Sequence, residues 1–448
     1  MRKLTAFPFQ NVLVLGLAKS GTAVAKLFSR NDVQVTVNDL RAKKNDKNVL
    51  ELKNQGVEVV LGDHPLSLLD QTDLIVKNPG IPYENPLINE AVHKGIPVVT
   101  EIELLYYLGI EKLIGITGSN GKTTTTTLIY EMLKYGEVSV EIAGNIGHVA
   151  SEVAEQVEED QAMVVELSSF QLLGTQKFVP QVAVVLNMFE AHLDYHQTME
   201  NYMQAKANIF KNQTSDDFLV YNADDEKVQS MVQSAKSTLV PFSCQKFQNE
   251  GAYSDGTSIF FNGNKIISLD EIVLVGEHNI ENILAAVAVA KTYQISNDTI
   301  RKVLSTFTGV KHRLQFVDKV NGRLFYNDSK ATNILATSKA LSAFSQPTIL
   351  LAGGLDRGNG FEALSPYLQN VKAFILFGET ADKFKEVGEQ YGIPFIKHVH
   401  NMEEAVQTAY ALSEKGDVIL LSPACASWDQ YKTFEQRGNM FIDSVHRL

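Results

Sequence analysis

The segment Gly118-Ser-Asn-Gly-Lys-Thr-Thr124 joins an apolar run, Lys112–Thr117, to a helix-length amphipathic stretch. Main-chain N–H groups at a strand-to-helix turn, backed by the positive end of a helix dipole, form a seat for phosphate oxygens. Gly118 and Gly121 allow close approach on either side of Ser119 and Asn120, Lys122 adds a point charge, and the hydroxyls of Thr123 and Thr124 follow, Thr123 suited to magnesium. The match to the common P-loop spacing is incomplete. That spacing asks for glycine at 116, where Ile116 stands, and Gly115 comes one place early. The bland alternative is an ordinary strand-to-helix turn with a solvated lysine.

Other residues invite chemistry less strongly. Glu166 closes an apolar strand, the end at which α/β sheets present ligand groups, and one carboxylate plus substrate phosphates can hold magnesium. His192 also follows a strand but alone reads as a surface histidine, and Lys206 alone reads as a solvated helix lysine. Asn279 and Asn282 are spaced to offer amides to a base or simply to cap a helix. Arg313 and Lys330 suit phosphate contact, by fork and by point charge, and Asp328 suits a ribose. Near the start, Leu15-Gly-Leu-Ala-Lys-Ser-Gly21 follows a strand and falls short of Gly-x-Gly-x-x-Gly at Ala18, while Asp39 ends the next strand where a ribose partner belongs. That leaves an NAD(P)-dependent enzyme open as a rival, though it does not explain the second phosphate loop.

These residues need elements to carry them. Apolar runs alternate with amphipathic, helix-length segments, the pattern of parallel α/β sheets. Strands are expected at 11–16, 33–38, 57–61, 73–77 and 97–99, then at 112–117, 162–166, 181–187 and 218–221. A helix is expected to start at Gly21. Asn262-Gly263 separates a hairpin, 258–261 and 265–268, before a helix at 278–292. Asn321-Gly322 marks a second hairpin, followed by strands at 348–352, 373–377, 394–398 and 418–422. At about 150 residues per domain, 448 residues suggest roughly three domains, with restarts of the pattern placing them at 1–100, 101–309 and 310–448.

A net charge of −12 argues against a general binder of nucleic acid or anionic membrane. Two cysteines, Cys244 and Cys425, offer no disulfide framework. No window approaches the ~20 apolar residues that span a bilayer. The expectation is a cytoplasmic protein.

Thr117-Gly-Ser-Asn-Gly-Lys-Thr-Thr124 strongly resembles the loop of the Mur ligases and of folylpolyglutamate synthetases, three-domain ATP-dependent enzymes that form amides. Among these, Leu421-Ser-Pro-Ala-Cys-Ala-Ser-Trp-Asp-Gln430 and Phe434-Glu-Gln-Arg-Gly438 resemble the D-glutamate-adding branch of the Mur ligase family, and the likeness spans essentially the whole chain. The resemblance implies an α/β fold of three domains: a Rossmann-like N-terminal domain for a UDP-sugar, a central P-loop-type ATP-binding domain and a Rossmann-like C-terminal domain for the amino acid. It implies ATP, Mg²⁺ (two ions), UDP-N-acetylmuramoyl-L-alanine and D-glutamate as partners, with an acyl-phosphate intermediate, in a monomer.

Residue roles follow from the same resemblance. Lys122, Glu166, His192 and Lys206 are implied as catalytic, with Thr123, Glu166, His192 and a carbamylated Lys206 at metal. Asn279 meets adenine, with Arg313, Asp328 and Lys330 on the rest of ATP. Lys19, Ser20, Asp39, Leu40, Arg41, Asn78, Asn145 and His192 meet the UDP-sugar. Thr332, Arg357, Ser427 and Phe434 meet D-glutamate. Two departures stand out: Arg357 occupies a position that is lysine in some members, and Trp428 replaces a smaller aliphatic residue.

Overall fold

The structure is a computed structural model that describes residues 1–245 and 250–448, leaving aside the side chains of Glu277 and His278. The chain divides into two compact units: Met1–Asp270 with Ile280–Val303, and Glu271–Asn279 with Leu304–Leu448.

Among the described residues the first unit holds two sheets. One has the order β3-β2-β1-β4-β5, all parallel. Its strands are β1 (Asn11–Leu15), β2 (Gln34–Asp39), β3 (Glu58–Leu61), β4 (Leu74–Lys77) and β5 (Val98–Val99). The apolar runs make central strands because both faces are covered: Leu13, Val14, Leu15 and Ile75 are fully buried. The helix Lys19–Arg30 starts two residues earlier than Gly21, after an Ala18 N-cap that makes no side-chain capping bond.

The second sheet has the order β14-β13-β12-β11-β10-β9-β6-β8-β7. Its parallel part comprises β6 (Leu113–Thr117), β7 (Val140–Gly144), β8 (Ala162–Glu166), β9 (Val182–Val185), β10 (Phe218–Asn222), β11 (Thr238–Ser243) and β12 (Ala252–Ser254). β13 (Ser258–Phe261) and β14 (Asn264–Ser268) close it as the antiparallel hairpin expected at Asn262-Gly263. β7, β11 and β12 escape the sequence reading. β7 is an edge strand with mixed burial and β12 has three residues, so neither writes a clear apolar run. The two sheets are pinned together: Glu155 pairs with Arg30, Arg2 donates to Leu108, Gly109, Val157 and Glu158 carbonyls, and Glu103 accepts from the N–H groups of Gln176, Lys177 and Phe178.

The second unit holds one sheet of order β15-β16-β20-β17-β18-β19. The hairpin β15 (Gln315–Val320) and β16 (Arg323–Asn327) is antiparallel. β17 (Thr348–Gly353), β18 (Val371–Phe377), β19 (Phe395–His398) and β20 (Val418–Leu421) continue in parallel, with β16 beside β20. No helix among the described residues is long and apolar enough to cross a membrane.

Candidate active site

The phosphate loop leaves the C-terminal end of β6, which lies between β8 and β9, the point in an open α/β sheet where connections diverge and ligands settle. Gly118 and Gly121 have φ of 152° and 83°, conformations that disfavour side chains. A Cβ on Gly121 would lie 2.0 Å from Asn282 Oδ1, and one on Gly118 would lie 2.8 Å from the Leu186 Cβ. The stretch after β9 holds the loop: Ser119 N–H donates to Asn187 O (2.9 Å) and Asn120 N–H to Asn187 Oδ1 (2.8 Å). Lys122 opens the helix Lys122–Tyr135, its Nζ 2.9 Å from Gly118 O and 3.2 Å from Ser119 O. The ill-placed Gly115 is a packing residue of β6 and no part of the loop: a Cβ there would press within 3.1 Å of Leu167 and 3.2 Å of Ile209.

Facing the loop, Glu166 ends β8 and is buried. Its Oε2 accepts from Thr123 Oγ1 (2.8 Å) and its Oε1 from Asn145 Nδ2 (2.9 Å). Lys206, on the helix Met199–Ala207, is 1 % exposed; its Nζ donates to Gly118 O (2.8 Å) and Thr117 Oγ1 (3.2 Å) and lies 4.9 Å from the Tyr202 ring centre. Burial first, and then the charge of Lys122, drives its amine pKa well below the lysine range, against a smaller pull from Glu166. His192 adopts φ 56° and sets its ring edge-on to Phe170, 4.9 Å between centres. Burial, then Lys206, lowers its pKa and favours the neutral ring.

The donors here suit magnesium in kind: a threonine hydroxyl and a carboxylate, both oxygen. Among the described residues no group of three or more His, Cys, Asp and Glu gathers to hold a metal. A magnesium ion at Glu166 and Thr123 would therefore complete its shell with phosphate oxygens and water. Lys206 offers no oxygen to such a set as an amine; a carbamate on its nitrogen would supply one.

A cavity of about 590 Å³ opens beside this group within the first unit. Lys19, Ser20, Asn78, Asn145, His192 and Lys206 line it together with Lys122, so residues after β1 and β4 share one space with the phosphate loop. Asp39, Leu40 and Arg41 are not among the described residues lining it. Asp39 instead shapes the backbone: Oδ2 accepts from Leu17 N–H (2.6 Å), and Oδ1 from those of Arg41 (2.8 Å) and Ala42 (2.7 Å). Burial raises its pKa, but those three donors outweigh burial and hold it low.

Sequence reasoning missed several lining residues. Ser168–Gln171 was legible as a Ser-x-x-Gln capping box, and the box forms, with Ser168 N–H donating to Gln171 Oε1 at 2.9 Å. Lys77, which is not among the lining residues but precedes Asn78, had no local signal. It is 1 % exposed, and its Nζ donates to Pro79 O (3.2 Å), Ile81 O (2.9 Å) and Tyr195 Oη (3.3 Å). Burial brings its pKa down to about 8, so the amine is mostly charged at pH 7. It joins the loop carrying Asn78 to the helix following His192. If the Asn78 loop holds a substrate, Lys77→Met should raise the KM of that substrate about tenfold, the cost of roughly one charge-assisted hydrogen bond, and leave the KM for ATP near wild type; steady-state kinetics varying each substrate checks this.

In the second unit Asn279 is buried and donates from Nδ2 to Val275 O (2.6 Å). Asn282, its partner in the spacing argument, reaches Thr125 Oγ1 in the phosphate-loop helix (3.3 Å). Asp328 is 6 % exposed and accepts from Ser422 Oγ (2.8 Å) and Leu314 N–H (3.0 Å); burial raises its pKa to about 7. Arg313 lies in the loop that Asp328 grips, pairing with Val310 in an isolated bridge. Lys330 places its Nζ 5.6 Å from the centre of the Phe434 ring. Thr332 is partly buried and Arg357 is exposed in the turn after β17. Ser427 is 2 % exposed, with its hydroxyl unpartnered among the described residues. Arg437, which the sequence did not single out, is fully buried and binds Ser329 Oγ (3.0 Å), Ser329 O (2.9 Å) and Cys425 O (3.0 Å), stitching the segments that carry Lys330 and Ser427.

Residues 10–100 match the model "Mur ligase MurD-like, N-terminal domain", 116–290 "Mur ligase middle domain" and 312–425 "Mur ligase, glutamate ligase domain". The chain is 57 % identical over 448 residues to a UDP-N-acetylmuramoylalanine–D-glutamate ligase of Oceanobacillus iheyensis, covering 100 % of each. It is 58 % identical over 441 residues to that of Bacillus subtilis, covering 98 % of each. In fold it is similar to the UDP-N-acetylmuramate-alanine ligase of Thermotoga maritima (TM-score 0.58, 17 % identity, 98 % and 99 % of the two chains). The first-sheet loop that resembled a dinucleotide fingerprint thus falls in a segment with ligase relatives, which removes the NAD(P) reading. With all three of its sheets in segments matched by one family's domains, and relatives at this identity along its full length, the chain belongs to the Mur ligase family.

Proposed function

We propose that the protein joins D-glutamate to UDP-N-acetylmuramoyl-L-alanine at the expense of ATP, as its relatives' names describe, in the cytoplasmic assembly of peptidoglycan precursors, and acts as a monomer. The observation that carries this is the shared cavity: a phosphate loop with Lys122 opens into the space lined by Lys19, Ser20 and Asn78. An ATP γ-phosphate on that loop would meet the carboxylate of a substrate held from the first sheet.

A carboxylate is a poor electrophile. Its oxygen attacks the γ-phosphorus, ADP leaves, and the resulting acyl phosphate has a leaving group. The amine of D-glutamate then adds to the carbonyl carbon, a proton is lost, and the tetrahedral adduct expels inorganic phosphate to give the amide. The chain's contribution is positioning and charge stabilisation. Loop amides and Lys122 take the phosphates, and Asn145 and Thr123 fix the Glu166 carboxylate. His192 and Lys206 line the place where the acyl group forms. Magnesium bound at Glu166 and Thr123 would neutralise phosphate charge, with a second ion near His192 and carbamylated Lys206. Asn279, Arg313, Asp328 and Lys330 supply the remaining ATP contacts. Asp39, Leu40 and Arg41 serve the uridine end, and Thr332, Arg357, Ser427 and Phe434 serve D-glutamate. Domain boundaries near 100 and 309 would divide the chain along these lines.

The test is phosphate release with ATP, Mg²⁺ and UDP-N-acetylmuramoyl-L-alanine, with D-Glu compared against L-Glu, L-Lys and meso-diaminopimelate. Release stimulated by another acceptor and not by D-Glu rejects the assignment.

A further inference from the structure

The turns after β17 and β20 lie side by side, because those strands are neighbours and the third sheet's connections diverge between them. Leu355 N–H donates to Ala426 O (3.0 Å), tying one turn to the other. The backbone on either side of Arg357 is fixed as well: Asp356 N–H donates to Glu379 (3.0 Å), the Asp356 carboxylate accepts from Gly358 N–H (2.8 Å), and Lys383 pairs with it. The Arg357 side chain is different. Its guanidinium lies over the Trp428 ring, 5.1 Å from the centre, and makes no hydrogen bond or ion pair among the described residues. Trp428 is 66 % exposed, with little to gain from burial, and it directly follows Ser427, whose buried hydroxyl has no partner among the described residues. A planar cation stacked on an aromatic face keeps its edge N–H groups available for a carboxylate. Both of the departures noted in the sequence thus fall on the two halves of a single contact.

We propose that Trp428 is a positioning residue for the acceptor: its indole holds the Arg357 guanidinium so that the fork receives a carboxylate of the incoming amino acid beside Ser427. The proposal deepens the ligase reading and rests on it for the identity of the acceptor. An arginine here, unlike a lysine, needs the platform, because its selectivity comes from the orientation of a plane.

Trp428 is the chain's only tryptophan, so its emission reports this one contact. With the UDP-substrate, Mg²⁺ and a non-hydrolysable ATP analogue bound, D-glutamate should change that emission saturably, and Arg357→Ala should remove the response. A flat response to D-glutamate, L-glutamate and succinate alike overturns the proposal, whatever the turnover. In kinetics, Trp428→Leu should raise the KM for D-glutamate about three- to fivefold, the weight of an exposed cation–π contact. Trp428→Phe should recover most of the loss, and the KM for ATP should stay put. In an Arg357→Lys background the same Trp428→Leu change should add little. Equal rises in every KM, or strictly additive effects, overturn the positioning role. A wild-type enzyme that ignores D-glutamate in turnover rejects the ligase reading, and the emission titration then decides the stack separately.

Discussion

Lys122→Ala should cut ATP-dependent phosphate release by on the order of 10²–10³, the usual loss when a preorganised charge aimed at the transition state is removed. The side chain is already bent over the loop, its Nζ within 3.2 Å of the Gly118 and Ser119 carbonyls, so its position requires little rearrangement when phosphate arrives. Lys122→Arg should not restore the rate, since a planar fork cannot occupy the place of a compact ammonium between those carbonyls. Single-turnover measurements with radiolabelled ATP, alongside a thermal melt showing the variant folded, separate chemistry from stability. A wild-type rate for the alanine variant would remove the loop from the mechanism.

Loss of CO₂ should have the second-largest effect. Burial places the Lys206 amine in its neutral, nucleophilic form far more readily than a solvated lysine, and the nearby Lys122 charge pushes in the same direction. In the proposed carbamylation the nitrogen lone pair would attack CO₂, an N–C bond would form and a proton would leave to solvent, converting a would-be cation into an anionic oxygen ligand. The sign follows: raising pH deprotonates the amine and favours the carbamate, and lowering pH protonates it and releases CO₂. Enzyme held at mildly acidic pH and assayed in CO₂-free buffer should lose most of its turnover, and bicarbonate should restore it. Lys206→Met should lose on the order of 10²-fold irreversibly, as ligand-shell substitutions do. Labelling with ¹³CO₂ should give one carbamate resonance absent from the Met variant. No resonance, together with CO₂-independent rates, would sink the idea.

What the sequence disclosed was local. Buried strands such as Ala162–Glu166 announce themselves because both faces must be apolar, and the phosphate loop announces itself because its amides, glycines and lysine are consecutive. What it concealed is long-range. Lys206 lies 89 residues from Thr117, and no periodicity shows that its amine reaches the loop. Asp39 stands where a ribose partner belongs, but its spacing did not show that it also accepts from three backbone donors. Lys77 and Arg437 carry charges that pattern reading assigns to solvent, yet both are buried: Lys77 by the carbonyls of the turn just after it and the distant Tyr195 hydroxyl, Arg437 by the carbonyls of Ser329 and Cys425. The Arg357–Trp428 stack shows the same limit: each residue was noticed singly, and only the fold makes them one object.

The tightness of the phosphate loop also bears on antibiotic resistance. A side chain at Gly121 would collide with Asn282, and one at Gly118 with Leu186, in backbone conformations that already disfavour any substitution. An inhibitor that draws its affinity from the main chain of residues 118–121 would therefore press on positions where single mutations have almost no viable escape. Selection under such a compound should yield changes in expression or uptake, and few in the loop itself.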